Sequence, residues 1–246
     1  MQSIIASLAA RHGLSKAETL QEIESAFSSI LSRWYRLEVM VYFREDLRLE
    51  AVAYNKVGGV ILQRVLDLPA ILSCGTLRNH LEEHLARAAV FKLVQHHKSF
   101  ERKLVWGEVT GCDPEYNLYI ETEIIPGERI IAVCPLNRIG LHERYGRHFG
   151  VGQLRAFHLR RVEPVSLNGT PRLKVVLDRV SKTLVETLLR DHLEFDAEQI
   201  KLRCVKRYVG HKSIVLATKQ LRKKAIIAVD RELKERVQVQ IVKQLP

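Results

Sequence analysis

At 246 residues the chain can bury more than one core, and it divides more naturally into two or three domains than into one, since single domains run to about 100–150 residues. Its 46% apolar content is that of a globular protein, and no run of about 18 apolar residues exists to span a membrane. The net charge of +11 is concentrated: residues 199–246 hold thirteen Lys/Arg against three Asp/Glu, a net of +10, which is the electrostatic footprint of a polyanion-binding module. The N-terminus has no charged region leading into an apolar stretch and a small-residue cleavage site, so an unexported, cytoplasmic protein is expected. Cys74, Cys112, Cys134 and Cys204 are widely spaced with no CxxC pair, and reduced, partly buried thiols are expected.

The first clear element is "GLSKAETLQEIESAFSSILSRWY". Ser15 with Glu18 three residues on is a capping box, and Leu20, Ile23, Phe27, Ile30, Leu31 and Trp34 recur at helical spacing on one face. Leu37, Val39, Val41 and Phe43 alternate as a strand, and "LRLEAVAYN" offers a second. The stretch from "VILQRVLDLP" to Cys74 is open to either assignment. "TLRNHLEEHLARAAVFKLVQHHKSFERK" reads as a helix with Leu77, Leu81, Leu85 and Ala88 as its buried stripe; His80, His84, His96 and His97 lack metal-ligand spacing and are expected to be solvated.

From Val105 the pattern changes to five β-rich runs, "LVWGEVTGC", "NLYIETEI", "ERIIAVCPL", "GQLRAFHLRRVEPV" and "RLKVVLDRVS", separated by Gly, Pro and Asn signals. Asn168-Gly169 is the tight hairpin between the last two, and "LHERYGRHFGV" is an insertion between the third and fourth. Five strands with such an insertion point to a small OB-type barrel, an architecture that binds single strands across its face. Tyr119, Arg138, His142, Tyr145, Arg160 and Arg161 are the barrel's candidate stacking and phosphate-contacting residues.

The rest reads helix ("VSKTLVETLLRDHLEF"), strand ("QIKLRCVKRYV"), turn at Gly210, strand ("KSIVLATK"), helix from about Leu221 to Arg236, strand ("VQVQIV"). Lys219, Arg222, Lys223 and Lys224 crowd the start of the last helix, where unpaired N–H groups and the helix dipole favour phosphate; without an anion those cations oppose the dipole. Lys206, Arg207 and Lys212 at strand ends are expected to extend this patch. Asp230, Glu232 and Glu235 with Arg231, Lys234 and Arg236 are expected to pair on the exposed helix surface.

The order of an α/β N-terminal segment, an OB-type barrel of the S-one type and a KH-like unit resembles the NusA family of bacterial transcription elongation, termination and antitermination factors. The resemblance rests on "GLSKAETLQEIESAFSSILSRWY", on the barrel stretches running into "LDRVSKTLVETLL", and on "AIIAVDRELKERVQVQIV". It implies an α+β, multidomain protein: 1–103 an RNA polymerase-binding-like domain, 104–180 an RNA-binding barrel, 181–246 a linker helix and truncated KH-like domain. The chain departs from the family at "LATKQLRKKAIIAV", which has no glycine and is too short to hold both the short helix and the GxxG loop that the family has there, so a shortened KH groove is expected. With no second KH unit or acidic repeat, a minimal or divergent form of the family is expected.

Asp113, Glu115, Glu121 and Glu123 come without an HExxH, GxSxG, P-loop or GxGxxG sequence, so they are expected to be solvated and no enzyme activity, cofactor or metal is expected. The resemblance implies a transcription factor that contacts RNA polymerase and nascent single-stranded RNA. The alternatives are an adaptor with a degenerate KH unit, whose charge serves an acidic protein, and a general single-stranded nucleic-acid binder.

Overall fold

The computed structural model describes residues 1–144, 147–193 and 199–245, with only the backbone described at residue 147. The protein is α+β with three sheets, and it separates into two units: Met1–Val94 with Pro164–Leu173, and Gln95–Glu163 with Lys174–Pro246.

The first unit runs α1 (Gln2–His12), α2 (Lys16–Tyr35), β1 (Glu38–Phe43), β2 (Leu49–Tyr54), β3 (Val60–Leu66), α3 (Leu68–Ser73) and α4 (Gly75–Lys98), the last of which ends in the second unit. The stretch left open resolves into β3 and α3, and α1 is an addition to the expected elements. Ser15 and Glu18 form the capping box, each side-chain oxygen accepting the other residue's backbone N–H (3.2 and 2.6 Å). Ile23, Phe27 and Ile30 pack with Leu81 and Leu85 against Val39, Val41 and Leu49. Trp34, expected on the same face, is 52% exposed, because the last turn of α2 overruns the core before Arg36 reverses the chain at φ 54°.

The sheet β1-β2-β3 is antiparallel, and its two edges differ. Along β1, the N–H groups of Val39, Val41 and Phe43 donate to Ser32 Oγ (2.9 Å), Ser28 Oγ (2.8 Å) and Glu24 Oε1 (2.7 Å). Four helical residues rise about 6 Å and two strand residues about 6.7 Å, so α2, running against β1, offers an acceptor to every second residue of the strand. Ser28→Ala leaves the Val41 N–H without its acceptor and is expected to cost about 1–2 kcal/mol in urea unfolding. No such comb covers β3 among the described residues, and Val60, Ile61, Leu62 and Val65 there are all more than half exposed.

In the second unit, apart from the β7–β8 tip at Pro164–Leu173 that groups with the first, β4 (Leu104–Cys112), β5 (Leu118–Ile125), β6 (Glu128–Cys134), β7 (Leu154–Leu167) and β8 (Thr170–Asp178) match the five expected strands. They hydrogen-bond in the order β4-β5-β6-β8-β7, and β7 returns to β4, closing the sheet. Asn168 (φ 51°) and Gly169 (φ 80°) both take the left-handed conformation that a two-residue hairpin demands. The insertion holds a short helix α5 (Leu141–Arg144) between two 3-10 turns, Leu136–Arg138 and Arg147–Phe149.

Next come α6 (Lys182–Leu193), β9 (Leu202–Tyr208), β10 (Lys212–Ala217), α7 (Lys223–Leu233) and β11 (Arg236–Ile241). The expected helix to Arg236 stops earlier, where Lys234 turns left-handed at φ 51°. β10 is central, antiparallel to β9 and parallel to β11. Leu184, Leu188, Val229 and Leu233 of the two helices join Leu202, Cys204, Val215 and Val237 of the sheet in one core, which also takes in Ala156 and packs against Leu104 and Trp106 of the closed sheet. The expected junction at 180/181 therefore falls inside the second unit.

Candidate nucleic-acid interface

The expected surface pairing of Asp230, Glu232 and Glu235 is not what forms: all three carboxylates turn inward. Asp230 Oδ1 accepts the Val237 N–H at 2.7 Å, and burial raises its pKa. Glu235 is buried, with Oε1 2.8 Å from both Arg207 Nε and Ser213 Oγ, and Oε2 accepts the Gly210 N–H at 3.1 Å. Glu232 accepts from Arg179 Nη1 (2.8 Å) and from the Ala156 N–H (3.0 Å).

Arg179 is fully buried and joins parts distant in sequence. Its Nε lies 3.1 Å from Glu143 Oε2, Nη1 donates to the Ala156 carbonyl at 2.6 Å, and Nη2 donates to the Glu232 carbonyl at 3.0 Å. The Phe149 and Phe157 rings flank the guanidinium at 5.2 and 5.5 Å. Burial by itself would raise the pKa of Glu143, but the His148 hydrogen bond and the Arg179 charge outweigh it and hold it at about 2. Asp178 and Ser181 next to Arg179 cap the turn into α6. The stretch Asp178–Ser181 thus ties the closed sheet to the C-terminal elements.

With its acids spent internally, the outside of residues 199–245 is cationic. Eleven of its Lys/Arg are exposed, Lys212 is half-buried, and Arg207, at 2% side-chain exposure, is the one taken inside. Lys219, Arg222, Lys223 and Lys224 are brought together at the start of α7, where Arg222 is the N-cap and Lys219 Nζ reaches Gln199 Oε1 at 3.3 Å. Lys206 and Lys212 do not extend that patch: Lys212 stands at the opposite end of β10, about 17 Å away along a six-residue strand, and Lys206 lies beside Ile214, about 10 Å from the end of β10 that leads to α7. Arg207 leaves the surface because a register shift between Ile214 and Val215 flips the alternation of β9, turning Lys206 out and Arg207 in.

The barrel candidates are dispersed. Tyr119 is 40% exposed with its hydroxyl 3.5 Å from Asp113, whose loop hydrogen bonds with Asn117 lower its pKa. Arg160 pairs with the buried Asp178 (3.2 Å) and Arg161 with Glu163 (3.1 Å). The Arg138 carbonyl accepts the Arg179 N–H at 2.9 Å. His142 is an internal strut: its Nε2 is 2.9 Å from the Leu233 carbonyl, and its ring fills the space a Cβ at Gly140 or Gly210 would need. Tyr145 lies outside the described residues.

Two further expectations change. His97, expected to be solvated, is buried, and His84 pairs with Glu22 at 2.9 Å. The cysteines form no disulfide; Cys134 and Cys204 are buried, and burial pushes the Cys204 thiol up to about 11. Among the described residues no group of three or more His, Cys, Asp or Glu is placed to hold a metal ion, and no helix is long and apolar enough to cross a membrane. No protein family matches the chain, and no curated protein is detectably similar to it.

Proposed function

We propose that the chain is a NusA-like RNA-binding transcription factor. In this reading the first unit contacts RNA polymerase, and the second unit holds nascent single-stranded RNA, modulating pausing, termination or antitermination by positioning the transcript, with no covalent step. The strand order β4-β5-β6-β8-β7 matches the order expected of an OB-type barrel, and the sheet β11-β10-β9 with α6 and α7 on one face is similar to a KH unit without its glycine loop; both support the reading. The observation that carries it is the C-terminal charge: three acids turned inward and eleven cations exposed over residues 199–245. A surface so unbalanced repels itself unless polyanion is bound.

The intact chain is expected to bind single-stranded RNA, with log K falling against log salt by about 0.7 per phosphate contacted. Converting Arg222, Lys223 and Lys224 to Glu is expected to weaken binding and flatten that slope. No binding at low salt, or an unchanged slope in the triple variant, would sink the RNA reading or the α7 entrance respectively. Immobilised intact chain should also retain purified RNA polymerase; RNA binding without polymerase retention would leave a general single-strand binder.

A further inference from the structure

The sheet β11-β10-β9 has its second face open, and the register determines what stands there. Arg203, Lys206 and Tyr208 of β9 lie opposite Leu216, Ile214 and Lys212 of β10, which in turn lie opposite Gln240, Gln238 and Arg236 of β11. These are the positions that alternate with the buried Leu202, Cys204, Ser213, Val215, Ala217 and Val237. The face therefore carries four cations, one tyrosine and two amides around the half-buried Ile214 and Leu216, and no acid.

Three physical features make it more than a solvated surface. Lys212 and Arg236 are direct cross-strand neighbours, and like charges in that position destabilise a sheet unless an anion sits between them. Tyr208 is 49% exposed, with Lys212 Nζ 5.9 Å from its ring centroid, so an aromatic surface stands beside a cation. Gln238 and Gln240 add exposed amides, each with a donor and an acceptor for base edges. Three strands span about 10 Å, and Lys212 to Leu216 about 13 Å, room for two or three nucleotides.

We propose that this open face is a binding platform for single-stranded RNA, with a base stacked on Tyr208 and phosphates held by Lys206, Lys212 and Arg236. The proposal rests on the RNA-binding reading above and moves the principal contact from the start of α7 to the opposite end of the sheet. Charge selects the occupant: a cationic face with an aromatic and amides matches a phosphate backbone with exposed bases.

The test uses the intact chain and a fluorescently labelled single-stranded RNA of mixed sequence, about a dozen nucleotides long, read by anisotropy. Tyr208→Ala is expected to weaken binding about tenfold, and Tyr208→Phe to stay near wild type, because stacking needs the ring and not the hydroxyl. Lys206→Glu with Arg236→Glu should flatten the salt slope by about 0.7 for each phosphate no longer held. Ultraviolet crosslinking of the wild-type complex should mark the peptide containing Tyr208, a readout that a lowered melting temperature in a variant cannot imitate. If wild type binds but all these variants match it, or the crosslink falls elsewhere, the platform is overturned while the RNA reading stands. Equal losses in Tyr208→Ala and Tyr208→Phe overturn the stacking contact. If wild type binds no RNA, both fall.

Discussion

Replacing Arg179 with methionine is expected to destabilise the second unit by about 3–5 kcal/mol, the cost of leaving a buried carboxylate without its cation. Two carboxylates are at stake: Glu143, 1% exposed, and Glu232, 11% exposed. Arg179→Lys should recover little, since one ammonium cannot reproduce a fork that reaches Glu143, Glu232 and two backbone carbonyls. Replacing Arg179, Glu143 and Glu232 together with Met, Leu and Leu should regain much of the loss, because the desolvation cost disappears with the charges. Urea unfolding followed by Trp106 fluorescence is the measurement. Trp106 sits in the second unit with its Nε1 3.1 Å from Asp191 Oδ2, and Trp34, exposed in the first unit, can be changed to Phe to isolate the signal. A loss below about 1 kcal/mol would mean that the two carboxylates reach water without Arg179.

The same centre sets an acid limit. The pKa of Glu143 lies at about 2 in the folded protein, below its ordinary 4.5. A lowered carboxylate pKa contributes stability above the unfolded value and loses it as pH falls through the folded one, so the window runs from about pH 4.5 down to about pH 2. The span corresponds to about 3 kcal/mol. Asp230, whose pKa burial raises, acts in the opposite sense and offsets part of the loss. Urea midpoints read at Trp106 should therefore drop across this window in wild type, and Glu143→Gln, less stable at neutral pH, should show a flatter profile. Parallel profiles in the two proteins would remove Glu143 as the titrating group.

Much of this fold was legible in the sequence where periodicity and turn chemistry agree. β4 appears over the nine residues read as a strand, Asn168-Gly169 is the hairpin its residues specify, and the Ser15 box opens α2. The edges of the pattern were less legible. Trp34 fits the helical period but lies past the end of the core it should join, and period alone carries no information about where a partner stops. The charged residues were the hardest. Lys206 and Arg207 differ by one position, and a single shift of register decides which is outside. Arg179 and Glu143 are 36 residues apart, and nothing local marks either as buried. Asp230, Glu232 and Glu235 look like helix-surface charges because side-chain spacing is local, whereas their partners Val237, Arg179 and Arg207 are supplied by the tertiary fold.

The comb of Ser28, Ser32 and Glu24 along β1 has a consequence for how chains can meet. A sheet with two bare edges can recruit neighbours on both sides and grow without limit. Here one edge is already occupied by the chain's own helix, so addition through this sheet is possible only at β3. Two molecules meeting by that edge would consume both open strands at once. Such pairing terminates at a closed pair and cannot propagate into a fibre.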